Sequence, residues 1–439
     1  MKITSIEDII RAKKDTGLNV PDLLALARGN DPFYIGTDAH KRDAEWFADI
    51  WERFNYSVKD EVHIRRIHYR AVSQEQPILM PDGKAYENTV RCWQFITAAS
   101  KYARWLKLVD PAKFDDRRNG KPEIFADQNR FQPGVEVYAY GSMSFDLPDL
   151  PDLPEYSLTG FHPEQRYHVE IWCEKSTMND ILIPLCKRYG LNLVTGMGEL
   201  SLTACLWLVE RVKELNKPTR ILYLSDFDPA GLSMPVAVSR KIEKFILDYG
   251  TPDMDIKLLP VVLSHDQCKK YQLPRTPLKE TELRAGKFQA RFGEGATELD
   301  ALEAVVPGEL DRLLTETIRR YRDTELQVKM DDIRESLQDT MDRYRDDIRE
   351  DFADEIEDIE REYSALTADY SERFAMLKDR VQSVWQDIQD RMEQVDADLS
   401  WVEPPDHQPD ESGNVVLFDS GRDYFEQLQE YKLFQGKAA

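Results

Sequence analysis

Residues 220–231 read Arg-Ile-Leu-Tyr-Leu-Ser-Asp-Phe-Asp-Pro-Ala-Gly, and their reading decides the fold. The apolar run Ile221 to Leu224 gives way to two carboxylates one residue apart, Asp226 and Asp228, followed at once by Pro229 and Gly231. A short apolar run closed by turn-forming residues is a buried strand. The Pro and Gly turn the chain sharply away, so both acids stay exposed at the strand end, where open parallel sheets bind their ligands. Two such carboxylates can reach one divalent cation. Hard oxygen donors suit Mg²⁺, with Mn²⁺ as its substitute, because Mg²⁺ keeps waters and bridges to phosphate oxygens.

The same grammar occurs upstream, where the apolar strand Val169 to Cys173 ends on Glu174, followed by Lys175 and the helix-capping type Ser176. Around these two points strand and helix patterns alternate. Strands are expected at Tyr167 to Cys173, Asn192 to Thr195, Arg220 to Leu224 and Ile256 to Leu263; helices are expected at Asn179 to Tyr189, Leu200 to Leu215 and Leu232 to Tyr249. Such alternation predicts an α/β domain with a parallel sheet and helices on both faces. Parallel strands open their carboxyl ends onto one edge, so Glu174 is expected to converge with Asp226 and Asp228. The competing reading is that each acid merely caps the next helix; two strand-end sites on one edge favour a functional one.

Working outward, residues 1–55 predict a helical region: Ser5 to Lys14, Asp22 to Arg28 opened by Pro21, and Asp38 to Phe54. Residues 56–145 carry the helices His63 to Val72 and Glu87 to Leu108. A hairpin is expected over Phe114 to Phe125 at the turn Arg118-Asn119-Gly120, giving a winged-helix-like DNA-binding domain. Prolines 148, 151 and 154 make 146–160 an extended linker, and 161–307 hold the α/β domain. From Gly308 to Glu403 there is no proline, asparagine or further glycine. Bulky residues there recur every eleven positions in columns such as Leu337, Ile348, Ile359, Tyr370, Val381 and Met392. Eleven residues over three turns predict a long, nearly straight or right-handed coiled coil over 308–403. Its stripe needs a partner helix, from a second copy or from a fold-back around Ser364 to Ser371. Residues 404–439 are read as a linker and the helix Arg422 to Phe434.

Glu174 with Asp226-Phe227-Asp228 resembles the Toprim signature of topoisomerases, primases and some nucleases. Asp-x-Asp-Pro-x-Gly is most similar to the topoisomerase VI A subunit and its meiotic double-strand-break relatives. The resemblance implies a winged-helix domain followed by a Toprim-like parallel α/β domain, and it leaves out the N-terminal helical region and the long C-terminal α-helical coiled coil that the periodicity predicts. It spans about Arg53 to Tyr321 and also takes in Glu298-Leu299-Asp300-Ala301-Leu302. The family's nucleophilic tyrosine ends a basic helical motif, matched here by Arg65-Arg66-Ile67-His68-Tyr69, in which Arg66 replaces an acid and His68 replaces a first tyrosine. The resemblance implies that Tyr69 attacks a DNA phosphodiester, that Glu174, Asp226 and Asp228 hold the metal, and that Glu174 carries a proton. Arg65 or Arg66 would activate the phenol. It also implies a homodimer in which the tyrosine of one subunit meets the metal site of the other. Tyr69 reads equally as an amphipathic tyrosine packed on its own domain.

The net charge of −23 argues at first against DNA, which demands positive potential. The average misleads: Arg53 to Arg130 hold 15 Lys plus Arg against 10 acids, while Asp331 to Asp398 hold 9 against 23. On the helix of the winged-helix-like domain, Arg91, Lys101 and Arg104 flank Trp93 and Tyr102 as phosphate contacts, although a solvated helix face fits them nearly as well. Thr195-Gly196-Met197-Gly198 reads as a strand-to-helix turn before it reads as a phosphate cradle. His63, His68 and His265 lack zinc spacing. Five cysteines without a CxxC pair predict reduced thiols in a cytoplasmic protein, and no leader or apolar stretch near 18 residues predicts secretion or membrane spanning. No GxxxxGK[ST] occurs, so any ATP-driven step needs a separate ATPase partner. Two rival functions stay open: a Toprim hydrolytic nuclease of the plasmid- or phage-defence type with no covalent intermediate, and a non-catalytic coiled-coil assembly protein.

Overall fold

The computed structural model describes residues 2–58, 62–115, 121–127, 129–138, 150–196, 201–278, 282, 284–366, 372–405, 409 and 415–437, with backbone alone at 372–375. Helices α1 (Ile6–Thr16), α2 (Asp38–Arg53), α3 (Ile64–Val72) and α4 (Val90–Trp105) come first, then strands β1 (Gly134–Tyr138) and β2 (Glu155–Thr159). The alternating stretch follows as β3 (His168–Cys173), α5 (Asn179–Tyr189), β4 (Asn192–Thr195), α6 (Leu202–Leu215), β5 (Thr219–Leu224), α7 (Pro229–Tyr249) and β6 (Ile256–Val262). After these come α8 (His265–Lys270), α9 (Ala285–Phe292), α10 (Leu299–Val305) and α11 (Glu309–Ile318). Next are α12 (Leu326–Asp351), α13 (Ala353–Leu366) and α14 (Glu372–Glu393), and last β7 (Phe418–Asp419) and α15 (Tyr424–Phe434). The chain divides into a larger compact unit, residues 1–126, 166–322 and 408–439, and a smaller one, residues 127–165 and 323–407.

The larger unit is a mixed α/β structure around a five-stranded sheet in the order β4-β3-β5-β6-β7. The first four strands are parallel and β7 is antiparallel to β6. Every residue of β3 and β5 is buried, as continuous apolar runs in a doubly covered sheet require. Along β5 the side chains alternate between faces. Ile221 and Tyr223 pack with Leu206 and Val209 of α6 and Val236 and Ile242 of α7. Leu222 and Leu224 pack with Leu182 and Leu185 of α5 and with Leu302, Leu310 and Leu314 of α10 and α11. Each fully buried aliphatic of this kind contributes ~1.5–3 kcal/mol. Because Leu310, Leu314 and Ile318 of α11 belong to this core, the expected helical rod does not begin at 308.

In the same unit α2, α3 and α4 enclose a core that includes Phe47, Trp51, Ile67, Ile96 and Phe114. The helix expected at Asp22 to Arg28 is only a single 3₁₀ turn, Val20–Leu23. The reason is Asp31, whose Oδ2 accepts the backbone N–H groups of Ala25 and Leu26 at 3.1 Å each and holds that backbone away from a helical ladder. The expected hairpin over 114–125 also differs. Its turn, 118–120, lies outside the described residues, and its flanks pair elsewhere, Phe114 with Val62 and Glu123 with Leu193 of β4.

The smaller unit joins the antiparallel pair β1-β2 to three helices. Residues 155–159, read as part of a linker, are strand β2, because Tyr156 and Leu158 bury their side chains with Leu337, Met341 and Ile388 of α12 and α14. Most described members of the eleven-residue columns are buried, namely Leu337, Ile348, Ile359, Val381 and Met392, with Met341, Tyr363, Trp385, Leu377 and Ile388, while Phe352, Leu366 and Leu399 are half-buried. Helix α14 returns antiparallel against α13 and α12, with Arg380 on Glu362 at 2.6 Å and Arg391 on Asp351. The stripe is thus covered within one chain. No helix among the described residues is long and apolar enough to cross a membrane.

Candidate functional site

Register places the acids. Cys173 of β3 stands level with Leu224 of β5 and Thr195 of β4, so the residues after β3 and β5 emerge together at the carboxyl edge. That edge lies between β3 and β5, where the strand order reverses and open α/β sheets bind ligands. Glu174, 6% exposed, accepts the Asp226 N–H on Oε1 at 3.1 Å, and its Oε2 is buried without a partner among the described residues.

Phe227 explains the alternation of the motif. Its ring is buried against His265, Phe288 and Phe292, and its backbone exchanges two hydrogen bonds with Thr297, at 2.8 and 3.0 Å. Anchoring the middle residue inward sends the flanking aspartates the other way. Asp226 Oδ1 accepts the Leu299 N–H at 2.7 Å and pairs with Lys175 Nζ at 3.0 Å. Asp228 caps α7, its Oδ1 accepting the Gly231 N–H at 2.6 Å. A Cβ at Gly231 would stand 1.9 Å from the Asp226 carbonyl oxygen, so only glycine allows this close turn.

Electrostatics separates the acids. Burial, reinforced by the charges of Asp226 and Asp228, pushes the Glu174 carboxyl up to about 7 against the pull of the Asp226 N–H. Burial also raises Asp226, opposed by the Leu299 N–H and by Lys175. Lys175 lies above the ordinary lysine range: burial opposes its charge, but Asp226, Asp300 and Glu298 outweigh it. Its ammonium stands 3.1 Å from Asp300 and 3.2 Å from Glu298, which brings the acidic-aliphatic-acidic segment of the sequence to the site.

Among the described residues no three His, Cys, Asp or Glu side chains stand together as metal ligands. The reason is local: Lys175 holds Asp226, and the α7 N-terminus holds Asp228. The donor set still fits a hard cation in its chemistry. It is all carboxylate oxygen, and one of those oxygens, Glu174 Oε2, is buried and unpartnered.

The expected DNA-contacting residues divide. Tyr69 is 57% exposed on α3 and lines a cleft with Arg65, Arg66 and Arg104; Lys101 lines the next one. Among the described residues no hydrogen bond or ion pair joins Tyr69 to the acids. His68 is buried instead, Nδ1 2.6 Å from the Tyr86 hydroxyl and Nε2 3.2 Å from Asn88 Oδ1. Arg91 is paired with Asp82 at 2.7 Å, outside both clefts. Met197 and Gly198 lie outside the described residues, and His265 opens α8 behind the Ser264 cap. All five cysteines are buried, and among the described residues none forms a disulfide.

Sequence reasoning missed the central place of Lys175. The available signal was a lysine directly after a strand-end glutamate. It also missed the buried Glu170, which takes Arg211 in a two-oxygen pair at 2.9 Å together with His168 and Trp172. Burial alone would raise the Glu170 carboxyl, but Arg211 and His168 hold it well below the usual range. No family model matches the chain, and no curated protein matches it.

Proposed function

We propose that this chain is a Mg²⁺-dependent DNA-cleaving protein of the topoisomerase VI A type, with Glu174, Asp226 and Asp228 as its metal-holding acids. The observation that supports the reading is the meeting of Glu174 and Asp226 at the ends of adjacent parallel strands, with Glu174 near neutrality and one of its oxygens unpartnered. A carboxyl that titrates near 7 can accept and return a proton at neutral pH, so Glu174 is the proton carrier. Burial raises Asp226, and Lys175 and the Leu299 N–H oppose that rise, which favours its charged, metal-holding form. When bound, the divalent ion supplies charge stabilisation at the scissile phosphate.

Tyr69 is the leading nucleophile, exposed and in one cleft with Arg65 and Arg66. Because no hydrogen bond or ion pair joins it to the acids among the described residues, the transesterification reading takes the tyrosine of one subunit to serve the acids of another. The same missing link supports a second reading, in which water is the nucleophile and the chain is a hydrolytic nuclease. Supercoiled plasmid incubated with Mg²⁺, quenched with detergent and resolved with and without protease distinguishes them for wild type, Tyr69→Phe and Asp226→Ala. Protein-linked breaks lost in both variants establish transesterification. Free ends lost only in Asp226→Ala establish hydrolysis. Cleavage that survives Asp226→Ala refutes both readings.

A further inference from the structure

Two clefts of about 660 and 760 Å³ meet at Trp93, Thr97, Arg104 and Leu202, both inside the larger unit. The first runs between α3 and the start of α6 and carries Arg65, Arg66 and Arg104, with Asp115 as the one acid among the described residues that line it. The second runs on past α4 to α7 and adds Lys101, Lys241, Arg284 and Lys437, with no acid among the described residues of its lining. Such a balance is unexpected on a chain of net charge −23. Some of these cations are engaged without losing their charge: Lys101 donates to the Gly29 carbonyl at 2.7 Å, and Arg104 lies 4.5 Å from the Phe114 ring centre. Arg284 shares its charge with Glu282 beside the cleft. Partial burial, together with the charges of Lys287, Lys432 and Arg284, lowers Lys437 from the ordinary lysine range.

Aromatic faces interrupt the cations. Trp93, half-buried, stands where the clefts join, with the Arg65 guanidinium 5.9 Å from its ring centre, and Tyr69 lies exposed in the first cleft. Cations that track a backbone, combined with aromatic faces that stack bases, are the equipment of single-strand binding. Stacking on such faces requires bases that a duplex keeps in its own stack, which favours the single strand. The second cleft also reaches Ser233, whose hydroxyl contacts Arg284 and which lies in the first turns of α7, the helix capped by Asp228.

We propose that this joined groove binds single-stranded DNA, with Trp93 as a stacking platform, and leads the strand toward the acid edge. The proposal rests on the DNA-cleaving reading for its purpose, but its test does not. Fluorescence anisotropy of labelled oligo-dT, with the full-length protein in EDTA, reads binding while no cleavage occurs. Oligo-dT is expected to bind at least about tenfold more tightly than a duplex of the same length, with affinity falling steeply as salt rises. Trp93→Ala should weaken binding at least about fivefold, the lower end of what one lost base stack costs, with Trp93→Phe recovering most of it. The charge reversal Lys241→Glu with Arg284→Glu should weaken it at least about tenfold while circular dichroism and melting stay unchanged.

Equal affinity for duplex, or unchanged affinity in the folded charge-reversal variant, overturns the groove. So does displacement of the oligonucleotide by poly-glutamate at equal charge. Tighter binding of oligo-U than oligo-dT overturns the assignment to DNA in favour of RNA. Single-strand binding without plasmid cleavage would sink the catalytic reading and leave the groove standing; cleavage without single-strand binding would do the reverse.

Discussion

Glu174→Gln should stabilise the fold at alkaline pH while ending cleavage. The wild-type carboxyl is buried, and that burial, with the charges of Asp226 and Asp228, pushes it up from 4.5 to about 7. A group whose pKa rises on folding contributes stability that is fully present below its unfolded value and is lost as pH rises through its folded value. At about 1.36 kcal/mol per pH unit, holding the ionised carboxylate costs the folded state roughly 3 kcal/mol at alkaline pH. Glutamine cannot ionise, yet keeps an oxygen for the Asp226 N–H. The unfolding free energy of the variant minus that of wild type should therefore rise by about 3 kcal/mol between roughly pH 4.5 and pH 8.

Urea denaturation in EDTA at those two pH values measures this, with tryptophan fluorescence as the signal; Trp172, fully buried in β3, reports on the unit concerned. EDTA matters because a bound cation would offset the cost. A difference that stays flat within about 0.5 kcal/mol refutes the placing of a near-neutral proton on Glu174. The functional counterpart is a plasmid-cleavage rate that climbs through about pH 7 in wild type if the carboxylate acts as the base.

Lys175→Met should raise Asp226 further, because burial already pushes it up and the ammonium opposes that push, so the cleavage profile moves to higher pH; Lys175→Arg should largely restore it. Gly231→Ala places a Cβ 1.9 Å from backbone; a melting study should show a loss of about 1–3 kcal/mol, and cleavage should fall with it. Arg211→Met leaves Glu170 buried without its charged partner and should cost about 3–5 kcal/mol near neutral pH in urea titrations. Glu170 is lowered on folding, so the stability it contributes is present above its unfolded value, and the deficit should shrink as pH falls below the usual carboxyl range. Arg240→Ala strips the guanidinium from buried Asp31 at 3.0 Å and from the Tyr424 hydroxyl at 3.0 Å. It should cost about 3–5 kcal/mol and expose the first 35 residues and α15 to limited proteolysis.

The alternating stretch was legible because each of its strands is a short apolar run bounded by turn residues, and a strand buried on both faces leaves that trace in sequence. Asn179–Tyr189 and Asn192–Thr195 form as read, and β3, β5 and β6 begin or end one residue from expectation. The eleven-residue stripe was legible too, but its partner was not, since a hairpin and a dimer demand the same pattern. Strand β2 escaped because three prolines precede it and its partner β1 lies some way upstream, so neither periodicity nor a tight turn marks the pair. Strand β7 has only two residues and exists because β6 offers it an edge. The helix expected at Asp22 failed because Asp31, a later residue, captures its backbone donors.

The acids were legible for a reason that also limits what sequence can say about them. Two strand-end carboxylates on one edge follow from topology, but which of them holds the proton depends on groups that arrive from elsewhere. Asp226 is steadied by a lysine two residues past β3 and by an N–H at the start of α10, and among the described residues Glu174 receives only the Asp226 N–H. Under the proposed reading, the pair divides into a charge holder and a proton carrier, the division that acid–base chemistry at one site requires. The basic groove illustrates the same limit on a larger scale. Arg65, Lys241 and Lys437 lie on α3, on α7 and beyond α15, each unremarkable in its own segment, and only the packing of those elements turns them into one surface.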